Sequence, residues 1–462
     1  MHPTVVRNLV YPLHEYAKGK PTFRWLSVLE RSQWQSQREI LIDQGRALSE
    51  FIRYAYEHVP YYRRLMDERS IRSESVQSAA DLQRFPYLTK NDLRRYFADL
   101  KASPGPARIQ SISTGGSTGA PATVLVSMEA HGFGEAARLR AHAWFGLTPG
   151  EREMILWGSP IELGRQSLWR EARDRFLNSR LISAFDLSEA ALARYAESIQ
   201  RYRPRKLYGY ASALGYLAAY LNRTGQRIGS GWPKAVFATA EPLLPFQREA
   251  IQDAFHCAAA VEYGARDAGL IAHECPTGRL HINAERMIVE IAPDGQFAEA
   301  NKGEIVVTNL MSTAMPLIRY RTGDIGELDD VPCSCGRGLP LLRYVEGRRT
   351  DFLITPSGRV THALAIIYPI REVPGIVEFQ VVQESLQQVV LRLVTDSSFA
   401  DGTCVALKEK CRAALGGEVS VEIEKVASIA RLPSGKFRYV ISEPAESLLQ
   451  GQAPGSPGTL TQ

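Results

Sequence analysis

Lys206-Leu207-Tyr208, Ala235-Val236-Phe237-Ala238 and Ala258-Ala259-Ala260-Val261-Glu262 are three short β-rich runs. Two helical stretches, Ala211–Arg223 and Pro245–Phe255, lie between them. Apolar runs this short suit strands, and the stretches between them have helix length. Strand–helix alternation places helices against the faces of a sheet, so this segment decides the fold as α/β layers.

The same texture extends upstream to about residue 108. Thr123–Val126 and Met154–Trp157 read as strands, and Glu129–Phe145 and Glu189–Arg201 as helices. The first hundred residues are mostly helical. Trp34–His58 is polar and rich in helix formers, with Ile40, Leu41, Leu48, Phe51 and Ile52 at helical spacing. Pro60-Tyr61-Tyr62 is read as its break, and Thr89 as the N-cap of a helix following Phe85-Pro86-Tyr87-Leu88.

Downstream, helices are scarce from 279 to 345. Arg279–Ile291, Gly303–Thr308 and Leu317–Arg321 read as strands joined by Asp-Gly and Lys-Gly turns, forming either a small barrel or a distorted sheet. After Gly347 the pattern resets to a β-β-α-β unit: Gly375–Gln383, Gln388–Thr395, the helix Ala400–Leu415, and Ser420–Ile423. Gly451–Gln462 lacks core-forming residues and reads as a disordered tail. The expected domains are 1–346, 347–446 and a tail at 447–462.

Composition narrows the function classes. A chain of 462 residues exceeds what one core usually organises. The net charge of +5, with no basic run, argues against nucleic-acid binding and leaves room for an anionic ligand site. The longest apolar stretches, such as Ala211–Leu221, fall far short of the roughly 20 residues that span a bilayer, so no membrane insertion is expected. The N-terminus lacks a basic segment followed by a long apolar one, which makes the cytoplasm the default compartment. Six cysteines in a chain of this length do not make a disulfide framework, and clustered ones suggest metal ligands.

Four segments carry possible chemistry. Ser113-Thr114-Gly115-Gly116-Ser117-Thr118-Gly119-Ala120-Pro121 packs three glycines and four hydroxyls into one loop. Glycines let the backbone approach an anion, and free N–H groups and hydroxyls can surround phosphate oxygens. No Gly-Lys-Ser/Thr follows, so it is not a Walker A loop; the alternative is a flexible surface loop. Glu262-Tyr263-Gly264-Ala265-Arg266-Asp267 ends a strand with a ring that could stack on a base and a carboxylate that could reach Mg²⁺; the alternative is a strand end with a capping Asp. Arg319-Tyr320-Arg321-Thr322-Gly323-Asp324 has basic residues before a Gly-Asp turn, where Asp324 could accept from ribose hydroxyls or be an ordinary turn residue. Leu432-Pro433-Ser434-Gly435-Lys436 places a lysine on a Pro/Gly turn, able to set a point charge on a phosphate or carboxylate.

In this order, the segments resemble the core motifs of the adenylate-forming superfamily of acyl-CoA synthetases, peptide-synthetase adenylation domains and luciferases. The loop at 113–121 is similar to the family's phosphate loop. Tyr263-Gly264-x-x-Asp267 resembles its Tyr-Gly-x-x-Glu motif, with Asp for Glu. Tyr320-Arg321-Thr322-Gly323-Asp324 resembles the ribose motif, and Gly347-Arg348-Arg349-Thr350-Asp351 the hinge, with Thr350 in place of an Asp. Pro433-Ser434-Gly435-Lys436 resembles the catalytic-lysine motif. Within the superfamily, His58-Val59-Pro60-Tyr61-Tyr62-Arg63, Phe85–Lys90, Thr239-Ala240-Glu241-Pro242-Leu243 and Ala314–Tyr320 resemble the phenylacetate–CoA ligase family, including its capsule-biosynthesis-like members. Tyr210-Ala211-Ser212 departs from it where relatives often carry Pro before Ser.

The resemblance implies an α/β fold: a large multi-layer N-terminal AMP-binding domain with a helical opening and a β-rich part, and a small mobile α+β lid. It implies ATP-dependent activation of a carboxylic acid, aryl or similarly hydrophobic, through an acyl-adenylate, then transfer to coenzyme A. The alternative acceptor is an amine or carrier protein. Lys436, Thr118 and Asp267 are the implied catalytic residues. Ser113, Thr114, Gly115, Gly116, Ser117, Thr118 and Gly119 would hold phosphates. Glu241, Pro242, Glu262, Tyr263 and Gly264 would line the adenine side, and Asp324 with Arg348 the ribose. Asp267 would hold Mg²⁺, and the lid would rotate about Arg348–Asp351. Tyr208, Tyr210 and the residues near Phe237–Ala240 are the expected acid-pocket walls, and the helical N-terminal region could support a homodimer.

One cluster stands apart from these motifs. Cys333-Ser334-Cys335 and the upstream Cys275 with His281 make a set of three sulfurs and one nitrogen suited to structural zinc. His273 is a rival fourth ligand, and buried inert cysteines are the alternative. Cys257, Cys404 and Cys411 lie in apolar stretches and read as core residues.

Overall fold

Strands and helices of the central segment assemble into a sheet with helices on both faces. The computed structural model describes residues 1–113, 122–157, 168–183, 189–229, 231–293, 302–348, 352–356, 360–362, 364–415, 417–430 and 437–444. In chain order the strands are β1 (Ile109–Ser113), β2 (Thr123–Ser127), β3 (Glu153–Trp157), β4 (Ser179–Ser183), β5 (Lys206–Tyr210), β6 (Ala235–Thr239) and β7 (Ala258–Ala265). They continue as β8 (Gly269–Glu274), β9 (Leu280–Ile282), β10 (Met287–Pro293), β11 (Lys302–Asn309), β12 (Leu317–Asp329) and β13 (Leu341–Arg348). The chain divides into two compact units, Met1–Thr322 with Gly326–Val345, and Gly323–Ile325 with Glu346–Gln462.

In the first unit, β1 and β2 form an antiparallel pair with Ser113 opposite Thr123. The other eleven strands make one sheet, ordered β10-β11-β12-β13-β9-β8-β7-β6-β5-β3-β4. The pairs β4–β3, β3–β5, β5–β6 and β6–β7 are parallel; β7–β8, β8–β9, β9–β13 and β10–β11 are antiparallel. The segment from 279 onward is thus no separate barrel but the antiparallel continuation of the parallel sheet. Arg279–Ile291 is two strands, because the chain turns at Asn283–Arg286. Lys302-Gly303 lies inside β11 rather than in a turn.

Alternation of side chains along the parallel strands builds two cores. On one face Met154, Leu156, Leu207, Val236 and Ala238 pack with Leu192, Ile199, Leu214, Leu217 and Ile251 from the helices Glu189–Tyr202, Ala211–Thr224 and Pro245–Phe255. Each such Leu or Ile, fully buried, contributes about 1.5–3 kcal/mol. On the other face Phe237 and Ala260 meet Leu147 and Phe145, which follow the helix Met128–Ala143.

The helix Gln37–His58 starts at a capping box between Ser36 and Glu39. Its buried Leu48 and Ile52 pack into the core of the antiparallel strands with Ile271, Ile282, Val307 and Leu317. Pro60 does more than end this helix. It occupies the first turn of the next one, Pro60–Glu68, where a missing N–H costs nothing. Thr89 caps Lys90–Arg95 and exchanges hydrogen bonds with Asp92. Among the described residues, no helix is long and apolar enough to cross a membrane.

The second unit is built on a four-stranded sheet. β14 (Phe352–Ile354) pairs with β15 (Val360–His362), and β16 (Ile376–Gln383), β17 (Gln388–Thr395), β18 (Ser420–Lys425) and β19 (Val440–Ser442) follow in the order β18-β17-β16-β19. β16–β17 is an antiparallel hairpin, flanked by parallel β18 and β19. The helices Leu364–Arg371 and Thr403–Ala414 complete it. The buried Gln383 amide clamps β14 to β19: it bonds both Ile354 N (3.0 Å) and Ile354 O (2.6 Å), and accepts from Ser442 Oγ (2.8 Å).

Candidate active site

The parallel strand order decides where a ligand can enter. From β3 the chain crosses to β4 on one side and then returns to β5 on the other. In open α/β sheets the ligand crevice lies at such a reversal, which here falls at the carboxyl ends of β3 and β5. Trp157 ends β3 and Tyr210 ends β5, and their rings stack with centroids 4.2 Å apart. Tyr208 stacks more distantly on Trp157, at 6.2 Å. Tyr208 and Tyr210 had been expected as pocket walls. Trp157 is not among the expected residues, although an aromatic residue closing a strand is a readable signal.

Across the sheet the register aligns Tyr210, Thr239, Glu262, His273 and His281 in one row. Glu262 is buried, with its carboxylate held from both sides. The Tyr208 hydroxyl donates to Oε1 at 2.5 Å, and His273 Nε2 lies 3.2 Å from Oε2. Burial, then the Glu262 charge, pushes the Tyr208 pKa well above its ordinary value, so the phenol remains a donor.

Beyond β6 the chain passes through Ala240 at φ +66°, in the left-handed region that a side chain disfavours. That bend delivers Glu241, whose Oε2 accepts from Ser212 N at 2.8 Å, at the start of the helix Ala211–Thr224. A carboxylate is favourable at this positive end. Ser212 Oγ is buried without a hydrogen-bond partner among the described residues. Pro242 is exposed.

Asp267 lies in the turn between β7 and β8 and is only 8% exposed. The Tyr320 hydroxyl donates to its Oδ2 at 2.5 Å, joining two sequence motifs. Tyr320 is fixed in turn by the N-terminal segments. Leu88 N donates to Arg319 O (3.0 Å) and Leu88 O accepts from Arg321 N (2.9 Å). The Tyr62 hydroxyl donates to Pro316 O (3.0 Å) and accepts from Ile318 N (3.2 Å). Gly264 lets β7 and β8 approach: a Cβ there would stand 2.7 Å from Gly269 O. The Tyr263 ring is buried in the core of the antiparallel strands.

Other expected site residues fall elsewhere. Ser113 is exposed at the end of β1, whereas Thr114, Gly115, Gly116, Ser117, Thr118, Gly119 and Lys436 lie outside the described residues. Asp324 is half-buried within β12 rather than in a turn, although Gly323 before it has φ +80°. Arg348 ends β13, and its side chain is outside the described set.

Below the crevice, on the same face, runs a buried ionic network that sequence reasoning missed. Arg138 bridges Glu135 (2.6 Å) and Glu153 (3.3 Å), Lys206 binds Glu153 (2.5 Å), and Lys206 Nζ meets His142 Nδ1 (3.1 Å). Burial and then Lys206 hold the His142 pKa well below its ordinary value, so the ring is neutral. The readable signal was a charged residue opening each of two apolar strands, Glu153 and Lys206.

The cysteine cluster is drawn together. One donor atom from each of Cys275, His281, Cys333 and Cys335 falls within 4.8 Å of every other. Cys275 Sγ and Cys333 Sγ are 3.7 Å apart, and Cys335 Sγ is 3.3 Å from His281 Nε2. His273 is engaged by Glu262 instead. Burial and then Arg337 push the His281 pKa down to about 4, which leaves a nitrogen lone pair available. Of the remaining cysteines, Cys411 is buried, and burial pushes its thiol up to about 12. Cys257 and Cys404 are only half-buried, short of the core positions expected.

Comparisons with known proteins agree with this geometry. Residues 353–443 match the family model of the CapK C-terminal domain. Protein CapK of Staphylococcus aureus is 24% identical over 409 residues, covering 86% of this chain and 88% of its own. Phenylacetate-coenzyme A ligase of Thermus thermophilus is 26% identical, covering 86% and 95%. That of Escherichia coli is 27% identical, covering 71% and 75%. Among solved structures, 2-hydroxyisobutyryl-CoA ligase with a bound acyl-adenylate superposes with a TM-score of 0.71 at 20% identity, covering 91% of this chain and 94% of that one. The chain is therefore a homologue of protein CapK and of the phenylacetate–coenzyme A ligases, with the fold of the adenylate-forming ligases.

Proposed function

We propose that the protein is an AMP-forming acid–thiol ligase of the cytoplasm. A carboxylate oxygen attacks the α-phosphate of ATP and pyrophosphate leaves, giving an acyl-adenylate. The thiol of coenzyme A then attacks the acyl carbon and AMP leaves. The observation that carries this reading is the Tyr320–Asp267 hydrogen bond, which brings the two nucleotide motifs to one point. It is supported by the crevice at the strand ends and by relatives named as CoA ligases that align over most of the chain.

Each residue has a physical task. Trp157 and Tyr208, both half-buried at the strand ends, offer aromatic surface that suits a hydrophobic or aryl acid, with the buried Tyr210 stacked behind Trp157. Ser212 Oγ, buried and unpartnered, can donate to a carboxylate oxygen of that acid. Lys436 places its charge where the acid and the α-phosphate, both anions, must meet. The hydroxyl-rich loop from Ser113 to Gly119, which includes Thr118, holds the β- and γ-phosphates, and Asp324 with Arg348 the ribose.

Asp267 fits a Mg²⁺ site. Tyr320 orients one of its oxygens, and no hydrogen bond to the other is found among the described residues. Mg²⁺ binds through one or two carboxylates plus substrate phosphates, and when bound it neutralises phosphate charge.

Pyrophosphate exchange over a panel of acids tests the assignment. Asp267→Ala and Lys436→Ala are expected to lower exchange by about 10²–10³-fold, the scale of removing a positioned electrostatic group. The Lys436→Ala enzyme should still pass a supplied acyl-adenylate to coenzyme A. Full exchange in either variant refutes that residue's role, and no exchange with any acid refutes the ligase reading. Adding coenzyme A, then amines, to the exchanging enzyme identifies the acceptor.

A further inference from the structure

Away from the strand ends of the parallel half, β9 is a short, lightly tied strand of the large sheet. It spans three residues, Leu280–Ile282, and meets β13 at only two positions. Two loops close over it: the turn Cys275–Arg279 between β8 and β9, and the segment Cys333–Leu339 ahead of β13. Both are shaped to present sulfur. Gly278 (φ +78°) lets Gly278 N reach Cys275 O at 2.9 Å, and Gly336 (φ +81°) lets Gly336 N reach Cys333 O at 3.2 Å. Cys335 N donates to Cys333 Sγ at 3.5 Å, as a backbone amide does to a thiolate.

We propose that Cys275, His281, Cys333 and Cys335 bind one zinc ion, which fastens these two loops onto β9. The spacing fits a tetrahedron. With Zn–S of about 2.3 Å and Zn–N of about 2.05 Å, sulfurs stand about 3.8 Å apart and a sulfur–nitrogen pair about 3.6 Å. Cys275–Cys333 at 3.7 Å and Cys335–His281 at 3.3 Å stand close to these values, and all four donors lie within 4.8 Å of one another. A disulfide would need about 2.05 Å between sulfurs.

Four protein ligands close the coordination shell, which marks the site as structural. Zinc with three thiolates carries a net negative charge, and Arg337, two residues beyond Cys335 and over the Trp144 ring, supplies opposing charge. The wrapping is apolar and aromatic: Leu341 and Trp144 pack on the cluster, and Trp144 meets the His281 ring edge-on at 5.5 Å.

The knot also reaches the N-terminal helices. Arg337 lies over both Trp34 (4.9 Å) and Trp144 (4.6 Å), and Gln33 Oε1 accepts from Trp144 Nε1 (2.7 Å) and Arg337 Nε (3.1 Å). The ion therefore ties β8, β9 and β13 to the segment after the helix Thr22–Ser32. His281 further stands in the cross-strand row with His273, Glu262 and Tyr210, so the ion fixes one member of that row.

Elemental analysis of the full chain, purified without added metal or a metal-binding tag, tests the proposal. About one equivalent of zinc is expected. Less than about a tenth of an equivalent overturns it, as does iron in zinc's place or the loss of two titratable thiols to a disulfide. The half-exposed Cys335→Ser variant should lose its ion on dialysis against a chelator that leaves the wild type loaded. Should that variant fold poorly, titration of the wild type with a mercurial replaces it: zinc release must track modification of three thiols. Release out of step with the thiols, or full retention in Cys335→Ser, refutes the ligand set.

Discussion

The two halves of the eleven-stranded sheet are held together by opposite means. In the parallel half, helices cover both faces, each strand meets its neighbours over four or five positions, and buried charges pair beneath the crevice. In the antiparallel half, β9 is a three-residue strand, and four sulfur and nitrogen donors gather beside it. The parallel half can leave its strand ends open to a ligand because its stability lies below them. The antiparallel half supplies rigid supports instead: Tyr320 for Asp267 and His273 for Glu262.

The contrast can be broken most forcefully at Lys206. Lys206→Met removes one partner of a buried ion pair and should cost about 3 kcal/mol, at the low end of the range for such losses because Arg138 still faces Glu153. Urea unfolding measures it; a cost below about 1 kcal/mol would mean that the parallel half does not depend on its network.

A smaller effect is expected at the seam between the halves. Tyr320→Phe deletes the hydroxyl on Asp267 and should destabilise by about 1.5–3 kcal/mol, the value of a hydrogen bond to a charged group. It should also raise the KM for Mg·ATP. Unchanged KM would show that Tyr320 stabilises the fold without orienting the carboxylate.

The gentlest probe is pH. His142 stacks on Phe237, and its burial, then the facing Lys206, Arg138 and His273, hold its folded pKa below the ordinary 6.5. A depressed histidine pKa gives stability that is fully present above 6.5 and lost as pH falls below it, by about 1.4 kcal/mol per pH unit per proton. His142→Gln keeps an acceptor for Lys206 and should flatten the stability profile below pH 6.5. An unaltered slope would place the acid sensitivity elsewhere.

The parallel half was largely legible in the sequence. The strands at β3, β5 and β6 and the helices between β4 and β7 were readable within two residues, since burial on both faces leaves a local apolar signature. However, β4 and the helix Leu168–Phe176 were not read, and β7 runs three residues past its reading. The antiparallel half was less so. Asn283–Arg286 is a turn between strands, but what fixes it is distant: Arg140 on Asn283 (2.9 Å) and Glu285 (2.5 Å). Gly323-Asp324 carries a turn dipeptide yet lies inside a strand. The thiols were readable because cysteine offers few alternatives. The Glu262–His273 pair was not, because it depends on cross-strand register, which no local spacing reveals.

Glu241 has one more consequence. A helix N-terminus at the strand ends of an α/β sheet would ordinarily invite a phosphate. Here the Ser212 amide is already taken by the protein's own carboxylate. The helix thus carries a built-in competitor, a tethered anion at far higher local concentration than any free one. Under the proposed ligase reading, phosphate is steered away from that helix end, which is left for the uncharged body of the acid.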